Sequence, residues 1–538
     1  MKDNNNSSNQ QQQTGDNRKI EEYFNINSFD KLPDNTKYQF AEFLVSTLRK
    51  YFYKYGNDNT RNFCNIVLDS IIKVNKFEKD IKVNFRNQLC GYEAILSVKE
   101  LLDKVLVISS KGECLVILCR LFVCYLEKGV YDSRYRTWMK KVCLVLEINF
   151  LQFEECEDYL VNVLSINEYI ENEDQKRARL KNERNKKIKR YALIGVAGVV
   201  GGTLIGLTGG LAAPLIASGA GAIVGTSLTA GLATTAGAAI LGIGFGVAGA
   251  GLTGYKMKTR IGNIEQFEFL PISNKQSLHT LLTVTGWIRE DDVDEFVKPW
   301  RNLRVSGEEY TLVYESEHLL TLGQSLKLLL KTIAGAAVEK ALQKTILAGL
   351  LNAVAWPMAI LSVADIIDNP WHVCMSRSEE VGEILADVII KRQHGQKPLN
   401  LIGFSIGARV IYYCLLKLAD MENSQGIIEN VILLGAPVSA SPEQWENASN
   451  VVSGQIINGY STTDWILKFL YRTMNVQFSI AGITPIEVRC FYKEKIINRD
   501  LTKFVNGHLK YAISIDNIMN ELGVKMEKKE GSISTTQK

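Results

Sequence analysis

Histidine is scarce, net charge is small and cysteine follows no ligand spacing, and each shortage excludes a class of function. The 538 residues carry five histidines and ten cysteines. No two cysteines form a C-x-x-C pair, so neither a zinc site nor a disulfide framework is expected, and neither a metal nor a cofactor is called for. Cys119 and Cys124 fall among apolar helical positions, which reads as buried thiols in a reducing compartment. Lys and Arg total 62 against 58 Asp and Glu, a net charge of +4. That is too little for a chain that coats nucleic acid, so no nucleic-acid partner is expected. Met1-Lys2-Asp3 leads into Asn, Ser and Gln without the apolar stretch of a signal peptide, which predicts a cytosolic amino terminus.

What is present divides by composition. Apolar residues make up 46% of the chain, enough for sizeable cores, and the length predicts more than one folded unit. Residues 1–18 form a polar, low-complexity tail, and 525–538 a second tail. Residues 19–175 read as a helical domain: Phe40, Phe43, Leu44 and Leu48, then Val116, Leu118, Leu121 and Phe122, recur at helical spacing. No acid, histidine or phosphate-loop constellation marks this domain, so packing or protein-partner binding is its expected role.

Residues 176–190 form a basic stalk with nine Lys or Arg and one acid, Glu183. From Tyr191 to Tyr255 there follow 65 residues without one Asp, Glu, Lys, Arg or His. A helix crosses the hydrocarbon layer in roughly 20 residues, so this run holds two crossings and a turn. Eighteen of its residues are glycine, and Gly198, Gly202, Gly206 and Gly210 form one i+4 stripe while Gly242, Gly246, Ala250 and Gly254 form another. Small residues at that spacing let two helices pack closely in lipid, which predicts a transmembrane hairpin over 191–255. An interfacial or protein-buried helical pair is the alternative. Basic residues on both flanks, including Lys256, Lys258 and Arg260, predict an integral, multi-pass protein whose amino- and carboxyl-terminal domains face the cytosol, with the stalk against anionic headgroups.

Residues 256–524 alternate short apolar strands with helical stretches, the pattern of an α/β domain with a mostly parallel sheet. Strands are predicted at 279–285, 310–314, 399–403, 430–434, 455–459 and 486–492. Gly403-Phe404-Ser405-Ile406-Gly407 lies between a predicted strand and a helix at 408–419. This is G-x-S-x-G in the strand-turn-helix setting of a nucleophile elbow, which predicts an α/β-hydrolase-like fold with Ser405 as nucleophile. A serine in an unreactive turn is the bland reading. In this fold the order is serine, acid, histidine, and of the five histidines only His508 follows Ser405. Asp464, after the strand at 455–459, is the first choice of acid and Glu443 the second. A helix N-cap before Trp465 is the structural alternative for Asp464. Oxyanion-hole donors are expected from the backbone of Ile406 and of Gly286-Trp287. Arg409, one turn on, has two readings, a contact to an anionic substrate group or a pair with an acid inside the sheet-helix layer, and the second is preferred.

Two stretches remain. Residues 345–364 are long and apolar enough to span, yet one crossing there would separate Gly286 from Ser405, so a buried helix or an interfacial lid is expected. The preceding helix carries Leu326, Leu328, Leu329, Leu330 and Ile333 beside Lys327 and Lys331, a composition suited to a membrane surface. A serine hydrolase held at a bilayer would act most naturally on a lipid ester.

The run Gly403-Phe404-Ser405-Ile406-Gly407-Ala408-Arg409-Val410-Ile411, with Gly286-Trp287 upstream and Asp368-Asn369-Pro370-Trp371 between, resembles the transmembrane and coiled-coil domain-containing protein 4 family over about residues 38–520. The resemblance implies a multi-pass membrane protein with an α/β-hydrolase-like domain, with Ser405 at the nucleophile-like position and Asp464 and His508 at the acid and histidine positions. It leaves activity open. Two functions stand side by side: a membrane-anchored serine hydrolase, esterase or lipase-like, and a catalytically silent hydrolase-fold protein that binds trafficking or other partners. No sustained heptad supports a coiled coil around 165–190.

Overall fold

A computed structural model describes residues 20–166, 239–240, 264–336, 364–473 and 479–527, apart from residues 21, 94 and 95. The predicted stalk, both tails save Lys525–Glu527, and the glycine-rich hairpin save residues 239–240 lie outside these, as does the 345–364 stretch save Ala364. Among the described residues, no helix is long and apolar enough to cross a membrane.

The amino-terminal region is helical: α1 (Asp34–Leu48), α2 (Asp58–Asn75), α3 (Lys79–Cys90), α4 (Val98–Ile108), α5 (Lys111–Leu126), α6 (Ser133–Val145) and α7 (Phe150–Ile166). Local chemistry sets several starts. Ser97 with Glu100, and Ser110 with Glu113, each form a reciprocal cap at the entry to α4 and α5. The apolar stripes meet in one core, where Phe40, Phe43, Leu121 and Phe122 are buried. All ten cysteines are free thiols, eight of them buried and Cys490 exposed.

A second core surrounds a seven-stranded sheet: β1 (Phe267–Asn274), β2 (Thr280–Val284), β3 (Glu308–Tyr314), β4 (Leu399–Phe404), β5 (Ile428–Leu434), β6 (Ile456–Tyr460) and β7 (Ile496–Asp500). The order is β1-β3-β2-β4-β5-β6-β7, parallel except for the edge pair β1 and β3. The helices α8 (Ser316–Ala336), α9 (Ala364–Ile390), α10 (Ile406–Ala419), α11 (Pro442–Ser449), α12 (Trp465–Thr473) and α13 (Lys510–Glu521) accompany it. The chain is thus an α/β protein with a mostly parallel sheet and a helical amino-terminal region.

One strand expectation needs correction, and two strands are unexpected. Residues 486–492 form no strand. Their alternation of buried Ile486 and Val488 with exposed neighbours mimics one. The Asn498 side chain instead takes both backbone groups of Ile486, accepting its N–H at 2.8 Å and donating to its carbonyl at 2.9 Å, and Cys490–Tyr492 closes into a 3-10 turn. The last strand is β7, from the following Ile-Ile pair. In β1, Pro271 disguises a strand. It is tolerated because β1 lies on the sheet edge and the register shifts between Pro271 and Ser273.

The helical region docks on the amino-terminal ends of β4 and β5. Tyr131 N–H donates to the Gln396 carbonyl at 2.8 Å and Ser133 N–H to that of Gly426 at 3.0 Å. Arg136 of α6 is fully buried and reaches Glu154 and Glu157 of α7 and Glu429 of β5, each at 2.9 Å. Lys140 shares Glu429 at 2.5 Å and Asn400 donates to it at 3.2 Å. Arg136 and Lys140 hold the Glu429 carboxyl well below the usual range against the opposing effect of burial.

Candidate active site

Strand order reverses between β2 and β4: the chain steps from β2 to β3 on one side and returns to β4 on the other. Crevices outside the carboxyl ends of strands at such a reversal are where open α/β sheets bind ligands. Ser405 follows β4 there, and the loop beginning Thr285-Gly286 follows β2. Asp464 follows β6 and His508 follows β7 at the same sheet edge.

Ser405 has φ 53° and ψ −127°, a left-handed conformation for a side-chain-bearing residue. Such a backbone costs on the order of 1–3 kcal/mol and persists only where its surroundings enforce it. They do so through close approach. A Cβ on Gly407 would lie 2.1 Å from the Val284 carbonyl oxygen, and one on Gly286 would lie 2.2 Å from that of Phe404. Glycine at both positions lets β2, its loop and the start of α10 close around the turn. Ser405 N–H is held by the Leu434 carbonyl at 2.9 Å.

Three side chains from three loops form one hydrogen-bonded line. The Ser405 Oγ to His508 Nε2 distance is 2.6 Å, and His508 Nδ1 to Asp464 Oδ2 is 2.6 Å. With the proton on Nδ1, the imidazole donates to the carboxylate and the serine hydroxyl donates to Nε2. All three residues are 0% exposed. The other oxygen of Asp464, Oδ1, accepts Leu467 N–H at 3.1 Å, so the residue also caps α12. Asp464 thus makes one contact with each oxygen, and the cap fixes the carboxylate that faces His508. Glu443, the second choice of acid, is exposed in the first turn of α11.

The expected donor segments lie side by side. Ile406 is the first residue of α10, so its N–H has no acceptor within the helix and carries the positive end of the helix dipole. A Cβ on Gly286 would lie 2.8 Å from that nitrogen and 2.7 Å from Ser405 Cβ, which puts the Gly286-Trp287 backbone against the elbow. The Trp287 ring packs edge-on to Phe404 with centroids 6.1 Å apart. Arg409 lies one turn along α10, paired with Glu379 at 3.4 Å and bound to the carbonyls of Met375 and Pro437 at 3.1 Å each, so it ties α9 to the loop after β5.

Sequence reading overlooked the groups that join the acid loop to the histidine loop. Ser461 and Thr463 both donate to the Val505 carbonyl, at 2.6 and 3.1 Å. Nothing in the local sequence signals these contacts across more than 40 positions. Two other histidines, His279 and His394, are buried at the opposite end of the strands, and burial pushes each down to about 3. No group of His, Cys, Asp and Glu among the described residues has the arrangement of a metal site.

Residues 186–525 match the family described as protein of unknown function, DUF726. That span takes in the glycine-rich run and the whole sheet. An uncharacterized membrane protein of Caenorhabditis elegans is 45% identical over 496 residues, 91% of this chain and 80% of that protein. A transmembrane and coiled-coil domain-containing protein of Oryza sativa is 36% identical over 414 residues, 74% of this chain and 61% of that protein. A probable lipase of Saccharomyces cerevisiae is 36% identical over 426 residues, 77% of this chain and 39% of that protein. The chain therefore spans less than two thirds of the rice and yeast relatives. No solved structure matches.

Proposed function

The chain belongs to the DUF726 family, and from that premise we propose that it is a membrane-anchored serine hydrolase of α/β-hydrolase-like fold, lipase-like in cleaving an ester of a membrane lipid. The observation that carries this reading is the Ser405–His508–Asp464 line, with 2.6 Å at each link. Ser405 Oγ attacks the ester carbonyl carbon while His508 Nε2 takes its proton. Asp464 holds the Nδ1–H tautomer and stabilises the imidazolium. The N–H of Ile406 and those of Gly286-Trp287 receive the oxyanion, an interaction worth about 10²- to 10³-fold in rate per donor. The alcohol leaves with the proton from His508, and water, deprotonated by the same imidazole, releases the acid and restores Ser405.

Support for the lipid substrate is indirect and converging: a yeast relative described as a probable lipase and relatives described as membrane proteins, together with the uncharged 191–255 run, read as a hairpin holding both folded regions on the cytosolic side. The finer grouping under transmembrane and coiled-coil domain-containing protein 4 rests on the elbow sequence.

A fluorophosphonate probe tests the chemistry. It should label the full-length, detergent-solubilised chain, fail on Ser405→Ala and drop sharply on His508→Ala. A folded preparation that takes up no probe points instead to a silent scaffold binding protein partners. Protease protection tests the tether: sites at both flanks of 191–255 should be cut from the cytosolic side.

A further inference from the structure

Tyr511 is fully buried and touches the imidazole, yet the hydrolase mechanism gives it no task. We propose that Tyr511 is a positioning residue whose ring, not its hydroxyl, keeps His508 on the line between Asp464 and Ser405. This rests on the hydrolase reading of those three residues.

The contact follows from the turn into α13. Tyr511 is the second residue of that helix, its N–H donates to the His508 carbonyl at 3.3 Å, and its side chain folds back onto the residue three positions earlier. The two rings meet edge to face, centroids 5.8 Å apart and planes at 74°. The phenol also rests on Gly435, just after β5. A Cβ there would lie 2.4 to 3.0 Å from three carbons of the Tyr511 ring, and Gly435 has φ 54°. Its N–H is tied to the Gly459 carbonyl at 2.8 Å, so this backing is backbone of the sheet edge and does not yield. The ring thus touches both a fixed strand end and the imidazole.

The hydroxyl is buried and has no hydrogen-bond partner, so the hold is one of shape. Burial, with Asp464 and Asp500 nearby, keeps the phenol neutral by pushing it well above its ordinary value. The need for such a wall arises during turnover. While Ser405 is free, two in-line hydrogen bonds fix His508. When Ser405 attacks, its hydroxyl proton passes to His508 and that hydrogen bond is spent as the new bond forms, so only the bond to Asp464 remains to fix the ring. A ring held by one hydrogen bond can swing about it, and a displacement of about 1 Å costs roughly 10²-fold in rate.

The test compares Tyr511→Phe with Tyr511→Leu, and with Tyr511→Met should the leucine variant misfold, all in the full-length chain. Two readouts are used: the rate and pH profile of fluorophosphonate labelling at Ser405, and the carbethoxylation of His508 by diethyl pyrocarbonate, mapped by mass spectrometry. Phenylalanine should retain the wild-type rate, pH midpoint and His508 protection. Leucine should lose about 10²-fold in labelling, shift the pH midpoint and carbethoxylate several times faster. Wild-type behaviour of the leucine variant overturns the proposal, as does a phenylalanine variant that loses as much as leucine. If the wild-type chain takes no probe, the hydrolase reading fails on its own, and carbethoxylation still decides whether the ring restrains His508.

Discussion

The two edges of the same sheet bury ionisable groups in opposite ways. At the amino-terminal ends of β4 and β5, Arg136 is surrounded by Glu154, Glu157 and Glu429, and Glu429 takes Lys140 and Asn400 as well. At the carboxyl-terminal ends, His508 meets one carboxylate and one hydroxyl, and the line stops at Ser405. Arg136, Glu157 and Glu429 are buried about as deeply as the three residues at the other end. The difference is partner number: in the first network every carboxylate meets a cation, Lys525 completing it on Glu154 at 2.8 Å, and two folded regions are joined, while the second ends on a hydroxyl. Burial alone does not single out a candidate site; a group left incompletely partnered beside an enforced backbone does.

The sharpest way to break this comparison is to spoil the carboxyl-terminal line without touching its packing. Asp464→Asn keeps an oxygen for the α12 cap but turns an amide toward His508, so the fold should melt close to wild type while probe labelling falls by on the order of 10⁴-fold. Asp464→Ala should add the loss of the cap, about 1 kcal/mol. A Ser405 that labels normally in the asparagine variant would remove the acid from the mechanism.

The converse change at the other end is next in size. Arg136→Met leaves Glu157 and Glu429 buried with their main counter-charge gone, which should cost about 3–5 kcal/mol, read as a fall in the urea midpoint. Any chain still folded should label at the wild-type rate. Loss of labelling in the folded fraction would mean that the helical region does more than dock.

A further effect is read by pH. His279 and His394, both at the amino-terminal end, are held down to about 3 and stay neutral in the folded chain. Unfolded, each takes a proton near its ordinary 6.5. The unfolded state therefore binds more protons from 6.5 down to about 3, and stability should fall as pH drops through that window. The depressed Glu429 adds a further loss below its ordinary 4.5. Urea melts from pH 7.5 to 4.5 should show the decline, and His279→Gln with His394→Gln should flatten it. Stability that rises on acidification would contradict the assignment.

What could be read in advance follows the range of the interactions. The elbow is local, five residues whose glycines answer to steric demands of one turn, so Ser405 stood out. His508 emerged because chain order left a single candidate. Asp464 could be seen only as a choice between acid and cap, since the contact of its second oxygen depends on a histidine 44 positions away. Partners such as Arg136 and Glu429, 293 positions apart, leave no periodic trace in the sequence. The missed strands have local causes: Pro271 hides an edge strand, and β7 is short and half-exposed, whereas 486–492 shows a strand's alternation that one asparagine side chain satisfies instead.

The most direct measurement is to locate the phosphonyl adduct by mass spectrometry on the folded full-length chain and on His508→Ala. An adduct on the Ser405 peptide of the wild type that all but disappears in the variant is the predicted result. No adduct on a folded chain, or one that survives the loss of the imidazole, would contradict the claim that His508 activates Ser405.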